Sequence, residues 1–263
     1  TDKIKKIIAS EPLKLDCGLT IKDFPIAYET YGKLNDKKDN AILIFHALSG
    51  DQFVSGINPI TGRDGWWTTA VGADKAIDTN KYFVICSNVL GGCMGSYGPS
   101  SSDPKSKKIL GINFPVITIN DMVNAQVEIL KFFKIEKLFS VIGGSMGGMQ
   151  VLQFVSNFPE KTKTAIPIAC TASHSAQNIA FNELGRQAIM ADVNWKNGSY
   201  DKVLLYTGRT VKHYALTTPM EYFAESTEAY LGMNDFYPFV RAELKEHDPK
   251  MFEIQKKIWG EVK

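Results

Sequence analysis

Short apolar runs alternate with longer amphipathic stretches along most of this chain, the pattern of a largely parallel sheet covered by helices. Ala41–Phe45, Tyr82–Cys86, Leu138–Ile142 and Thr164–Ile168 are each too short for a helix and read as strands. Pro167 counts against the last of them, because proline donates nothing to a ladder. From Asp121 to Phe133, the residues Met122, Val123, Gln126, Ile129, Leu130 and Phe133 fall near helical spacing, with Asn120 or Asp121 as the expected N-cap. A second helix is expected from Ser145 through Met149, Val151, Leu152, Phe154 and Val155 to about Asn157, where Phe158-Pro159 stops it. Beyond about Tyr200 the rhythm fades. Val203–Tyr206 reads as one more strand, and Pro219–Leu231 and Pro249–Ile258 read as helices. The expected organisation is an α/β body over residues 1–200 and an atypical, mainly helical tail over 201–263. Two glycine-rich segments, Gly50–Gly65 and Leu90–Leu110, are too long for ordinary connections and are expected near an active centre.

Composition narrows the class of function. At 263 residues, with 44% hydrophobic and 22% charged positions, the chain has the make-up of an ordinary globular domain. Its 30 basic and 28 acidic residues are interspersed, leaving a formal charge of +2 and no basic face that would call for nucleic acid or an anionic membrane. The expected partner is a small molecule. No apolar run approaches the roughly 20 residues that span a bilayer, and Thr1–Ser10 lacks the apolar core of a signal peptide, so the expected address is the cytoplasm. Cys17, Cys86, Cys93 and Cys170 form no C-x-x-C pair and are read as reduced thiols, mostly buried, with no zinc site and no bound cofactor.

The chemistry centres on Gly143-Gly144-Ser145-Met146-Gly147-Gly148. A serine hydroxyl is a poor nucleophile, so an enzyme must expose it, deprotonate it and supply donors for the oxyanion it creates. A sharp strand-to-helix turn exposes it and aims free backbone N–H groups at the developing charge. Crowding at such a turn demands the small neighbours Gly143 and Gly147 of the G-x-S-x-G spacing. The segment lacks the lysine of a P-loop and the G-x-G-x-x-G order of a dinucleotide site. Ser145 is therefore the expected nucleophile. The second oxyanion donor is expected after an earlier strand, in His46-Ala47-Leu48-Ser49-Gly50, so the predicted pair is the N–H of Leu48 with that of Met146. His46 precedes the serine, whereas such elbows follow the order serine, acid, histidine, and it is read as a structural hydrogen-bonding residue.

Several further segments, His46–Asp51, Gly65-Trp66-Trp67, Asn88–Cys93, Gly98–Ser101, Asp121-Met122 and Gly143–Met149, resemble the homoserine O-acetyltransferase family. The likeness continues through Ile179–Asn182 and Arg186–Ile189 to Trp195, covering roughly residues 10–200 in unbroken order. It implies an α/β-hydrolase-like fold, a mostly parallel sheet with flanking helices. It further implies transfer of an acetyl or succinyl group from CoA, as co-substrate, to L-homoserine through an acyl-serine, a step of methionine biosynthesis. In that scheme Ser145 is the nucleophile and Leu48 and Met146 are the oxyanion donors.

The tail departs from that family, whose late aspartate, histidine and lid arginine have no recognisable counterpart after Trp195. Residues 203–263 are similar instead to the C-terminal end of certain zincin-like metallopeptidase proteins, yet the chain has no H-E-x-x-H and only four histidines. Glu221 and Glu225 accordingly read as a solvated face rather than zinc ligands. A join near Gly198–Asp201 would reconcile the two textures. Within the tail two orders stay open for acid and base: Asp201 with His213, and Asp235 or Glu243 with His247. A serine esterase-like hydrolase and a catalytically impaired chimera serving as a binding module are the competing functions, and a homodimer is one way to hide an unpaired sheet edge.

Overall fold

The computed structural model describes residues 4–103, 106–191, 203–204, 210–211 and 241–259. The chain divides into two compact units, Thr1–Ala172 and Ser173–Lys263, earlier than the change of texture near residue 200.

The first unit is built on a six-stranded sheet of β1 (Lys5–Ile8), β2 (Pro25–Tyr31), β3 (Ala41–Phe45), β4 (Phe83–Ser87), β5 (Leu138–Gly144) and β6 (Thr162–Ile168). Their spatial order is β1-β2-β4-β3-β5-β6. β4, β3, β5 and β6 run parallel, while β2 pairs antiparallel with both β1 and β4. This mostly parallel sheet with flanking helices is the α/β arrangement the apolar pattern predicts. β3 and β4 are buried along their whole length, which is why both appear as unbroken apolar runs in the sequence. β6 starts two residues earlier than expected and keeps Pro167, in register with Gly143. The proline is tolerated because β6 is the last strand of the sheet among the described residues and needs a ladder on one side only.

α1 (Ile119–Phe133) and α2 (Met146–Asn157) pack on one another beside this sheet. The start of α1 corrects the expected cap. Thr118 is the N-cap: its Oγ1 accepts from the Asp121 N–H at 3.1 Å, and Asp121 Oδ2 accepts from the Thr118 N–H at 3.0 Å. Asp121 thus closes a capping box from the third helical position rather than heading the helix. Phe45 and Phe154, with ring centroids 5.8 Å apart, join β3 to α2 through the main core.

In the second unit, α3 (Ala176–Ala191), α4 (Arg241–His247) and α5 (Pro249–Trp259) are helical. Ala188, Leu244 and Met251 bury together, with Phe252 and Ile254 against them. Only Asp248 separates α4 from α5. Asp248 caps α5, its Oδ1 accepting from the Met251 N–H at 2.9 Å, with Pro249 next to it. Val203–Leu204 pairs antiparallel with Thr210–Val211 in a two-stranded ribbon, and the rest of the strand expected over 203–206 lies outside the described residues. The helix expected at Pro219–Leu231, together with Glu221 and Glu225, lies outside the described residues.

All four cysteines are unpaired, but Cys17 and Cys93 are exposed, contrary to the expectation of mostly buried thiols. Cys17 stands in a turn and Cys93 in a bend, neither of them in a strand. Only Cys86, in β4, is fully buried, and burial pushes its thiol well up.

Candidate active site

Phe45, Gly143 and Ile168, the last residues or nearly so of β3, β5 and β6, stand side by side at the carboxyl end of the parallel strands. From β3 the chain crosses to β4 on one side, and from β5 it crosses to β6 on the other. The crevice between β3 and β5 is therefore the topological switch point, where open α/β sheets bind ligands. The loop after β3 carries Leu48, and the turn after β5 carries Ser145.

Ser145 sits at φ 55° and ψ −123°, a conformation that costs a non-glycine residue about 1–3 kcal/mol. It is nevertheless exposed, as a nucleophile must be. Its N–H donates to Ile168 O at 3.0 Å, and its carbonyl accepts from the Met149 N–H at 3.1 Å inside the first turn of α2. The glycines around it are there for backbone contact. A Cβ on Gly143 would stand 2.8 Å from Phe45 O, and one on Gly147 would collide with that same carbonyl. A Cβ on Gly148 would stand 2.7 Å from Cys170 Cβ and 3.0 Å from Ile168 O, whereas Gly144 faces open space, so the elbow requires three of its four glycines.

Met146 is the first residue of α2, where N–H groups have no intrahelical acceptor. Leu48 lies just inside a tight turn closed by the Gly50 N–H donating to Ala47 O at 3.0 Å. Neither the Leu48 nor the Met146 N–H donates to an acceptor among the described residues. The Ala47 carbonyl and the Leu48 N–H belong to one trans peptide plane and point in opposite directions, so whatever holds one aims the other.

His46 is what holds it. Its Nε2 accepts from the Val89 N–H at 3.0 Å and lies 3.3 Å from Asn88 Nδ2, so Nδ1 carries the proton and donates to Ala47 O at 2.7 Å. Burial pushes its pKa down to about 4, against the smaller upward pull of the Ala47 carbonyl. A neutral imidazole with both nitrogens engaged has none left to take a proton from serine. The rest of this loop is tied down as well. Asp51 Oδ1 accepts from the Phe53 N–H at 2.7 Å and Oδ2 from Asn58 Nδ2 at 3.1 Å, while burial raises its carboxyl pKa. Trp66 Nε1 donates to Asp51 O at 2.8 Å, and the Trp66 ring stacks on Trp67 with centroids 5.4 Å apart. The Leu90–Leu110 segment begins in the same place, through Asn88 and Val89 on the His46 ring.

The structure thus gathers Ser145, Met146 and the Leu48 loop around the two strand ends. The first unit has no histidine besides His46. His247 is the last residue of α4 in the second unit, Glu243 lies within the same helix, and His213, Asp201 and Asp235 lie outside the described residues. No group of three or more metal-ligating side chains occurs among the described residues, and none of their helices is long and apolar enough to cross a membrane. Two glutamines carry contacts that the sequence pattern did not assign, Gln126 having been placed only in the stripe of α1: Gln150 Nε2 donates to both His46 O and Met146 O, and Gln126 Nε2 donates to Gln150 Oε1. The available signal was a polar residue in each apolar helix stripe, one of them four positions after Met146.

Known proteins resemble this arrangement. The family model for the alpha/beta hydrolase fold matches residues 40–212. A homoserine O-acetyltransferase of Pelagibacter ubique (strain HTCC1062) is 75% identical over 197 residues, which make up 75% of this chain and 53% of that protein. Among solved structures, the homoserine O-acetyltransferase from Bacillus anthracis superposes with a TM-score of 0.72 at 25% identity, over 97% of this chain and 71% of that one. An acetylester hydrolase from Corynebacterium glutamicum superposes with a TM-score of 0.66 at 26% identity, over 98% of this chain and 72% of that one. The chain spans about half the length of the curated relatives it matches.

Proposed function

The chain belongs to the α/β-hydrolase fold family, and from that premise we propose that it carries the nucleophile and oxyanion half of an O-acyltransferase acting on L-homoserine. The observation behind this reading is the elbow: an exposed, strained Ser145 at the head of α2, with the Met146 and Leu48 N–H groups free of acceptors among the described residues, inside the stretch shared with the homoserine O-acetyltransferase of Pelagibacter ubique. The Ser145 hydroxyl attacks the thioester carbonyl of acetyl-CoA or succinyl-CoA. The oxygen of the tetrahedral adduct lies against the N–H groups of Leu48 and Met146. The C–S bond then breaks and CoA leaves as the thiol, carrying the proton that Ser145 gave up. The homoserine hydroxyl attacks the acyl-serine next, its proton returns to Ser145 Oγ, and O-acylhomoserine departs. A base is required at both steps, and His213 and His247 are the candidates. A homodimer remains an arrangement that would cover the outer edge of β6.

Hydrolysis uses the same acyl-serine with water as the second acceptor, so a transferase differs in positioning homoserine and disfavouring water. The esterase reading has its own support, since the acetylester hydrolase superposes almost as well as the acetyltransferase and at similar identity. Intact-mass spectrometry after incubation with acetyl-CoA separates the two. The transferase is expected to gain one acetyl group on Ser145 and to lose it as O-acetylhomoserine only when L-homoserine is added, while Ser145→Ala stays unmodified. An adduct that decays equally fast without homoserine would establish the esterase. No adduct from acetyl-CoA or succinyl-CoA would leave a fold that keeps its elbow and lacks acylation.

A further inference from the structure

The two donors proposed for the oxyanion come from segments that are far apart in the chain, and one side chain touches both. Gln150 lies on the buried face of α2 with no solvent exposure. Its Nε2 donates to His46 O at 3.3 Å and to Met146 O at 3.4 Å. The first carbonyl opens the loop that carries Leu48, and the second belongs to the residue whose own N–H is the other donor. Amide groups can flip, but this one is held: Gln126 Nε2, from α1, donates to Gln150 Oε1 at 2.9 Å, and Gln126 is itself buried. With the oxygen committed to Gln126, the nitrogen must face the two carbonyls.

We infer that Gln150 is a positioning residue that fixes the separation of the Leu48 and Met146 N–H groups by tying the loop after β3 to the first turn of α2. The role rests on the reading of Ser145 as the acylated nucleophile. The clamp works alongside the glycine contact beneath it, where Gly147 lies against Phe45 O and close to His46 O. That contact sets how near the two segments come, and the amide sets how they are turned. His46 fixes the Ala47-Leu48 peptide plane from the other end. An oxyanion site needs both donors at hydrogen-bond distance from one atom, so a small rotation of either segment removes a donor without unfolding anything.

The test follows acylation of Ser145 in the full chain by intact mass, with acetyl-CoA and with p-nitrophenyl acetate as donors over a range of concentrations. Gln150→Met keeps the volume and removes the clamp. It is expected to lower the limiting acylation rate about 10-fold while the half-saturating donor concentration changes by less than about twofold. Gln150→Glu, which sets a carboxylate against two carbonyl oxygens, is expected to lose at least as much. Gln126→Met leaves Gln150 in place but frees it to flip, loses less than Gln150→Met, and carries the test if Gln150→Met does not fold. Hydrogen–deuterium exchange across residues 46–50 is expected to rise in both methionine variants. Limiting rates equal to wild type, or a loss confined to the half-saturating concentration, would overturn the role while leaving Ser145 as nucleophile. Unchanged exchange at 46–50 would overturn the coupling on its own. A wild-type chain that takes no acyl group from either donor overturns the Ser145 reading and this role together.

Discussion

β3 and β6 flank β5, the strand that delivers Ser145, and each holds the elbow by different means. β3 is buried along all five residues and braces the turn by packing: Phe45 sits in the core against Phe154, and the Phe45 carbonyl meets Gly147. β6 buries only Thr162, leaves Ile166 46% and Ile168 39% exposed, and holds the turn through one backbone bond from the Ser145 N–H to Ile168 O. Side-chain burial therefore secures the side of the elbow toward the Leu48 loop, and main-chain geometry secures the other. Substitutions on the two strands should differ in kind as well as in size.

The largest effect is expected on β3. Phe45→Ala should lower the unfolding free energy by about 3–5 kcal/mol, read from urea unfolding, because the cavity opens between β3 and α2 where neither can collapse. A loss below about 1 kcal/mol would mean that the packing argument for β3 fails.

His46, just past β3, gives the next largest effect, and it depends on pH. Its pKa is 6.5 in an unfolded chain and about 4 in the fold. Between those values the unfolded state binds a proton that the folded state excludes, so stability falls as pH drops through this window, by roughly 3 kcal/mol in all. Above the window the contribution is flat. Asp51, raised by burial, acts in the opposite sense as its carboxyl protonates, so the wild-type curve is a sum. His46→Gln should remove the histidine slope and leave the rest, which chemical denaturation at a series of pH values can read. Parallel curves for the two proteins would contradict the buried neutral imidazole.

The smallest effect is expected on β6. Ile166→Lys should change the unfolding free energy by no more than about 0.5 kcal/mol, since the residue is already close to half exposed. A loss above about 2 kcal/mol would show that this face is covered in solution and would end the contrast between the strands.

The same contrast explains what could be read from the sequence. β3 and β4 were legible because strands buried on both faces are near-continuous apolar runs, and β5 because Ser140 alone interrupts the run from Leu138 to Ile142. β1 and β2 were not, since Lys5, Lys6, Glu29 and Thr30 interrupt any such run in strands that are only partly buried. The elbow could be seen because its chemistry is local: a strand, a serine between glycines, and a helix. The Leu48 loop could be placed by its position after β3. Gln150 could not, because a glutamine in an apolar stripe looks the same whether it clamps two carbonyls or merely tolerates burial. The acid and base stayed open for a physical reason too. Their roles are defined by distance to Ser145, which spacing along a chain does not encode, and His213 lies outside the described residues.

The Trp66–Trp67 pair has an optical consequence. Two indoles 5.4 Å apart and within 15° of parallel are close enough for their excited states to mix, and the mixing should appear as a paired band at the strong far-ultraviolet indole transition in circular dichroism. Because the Trp66 indole is hydrogen-bonded to Asp51 O, in the segment that follows Leu48, the signal would follow the order of that loop without any added label. Titrating acyl donors or homoserine while watching that band would show, in the intact chain, whether the loop beside Ser145 shifts as ligands arrive.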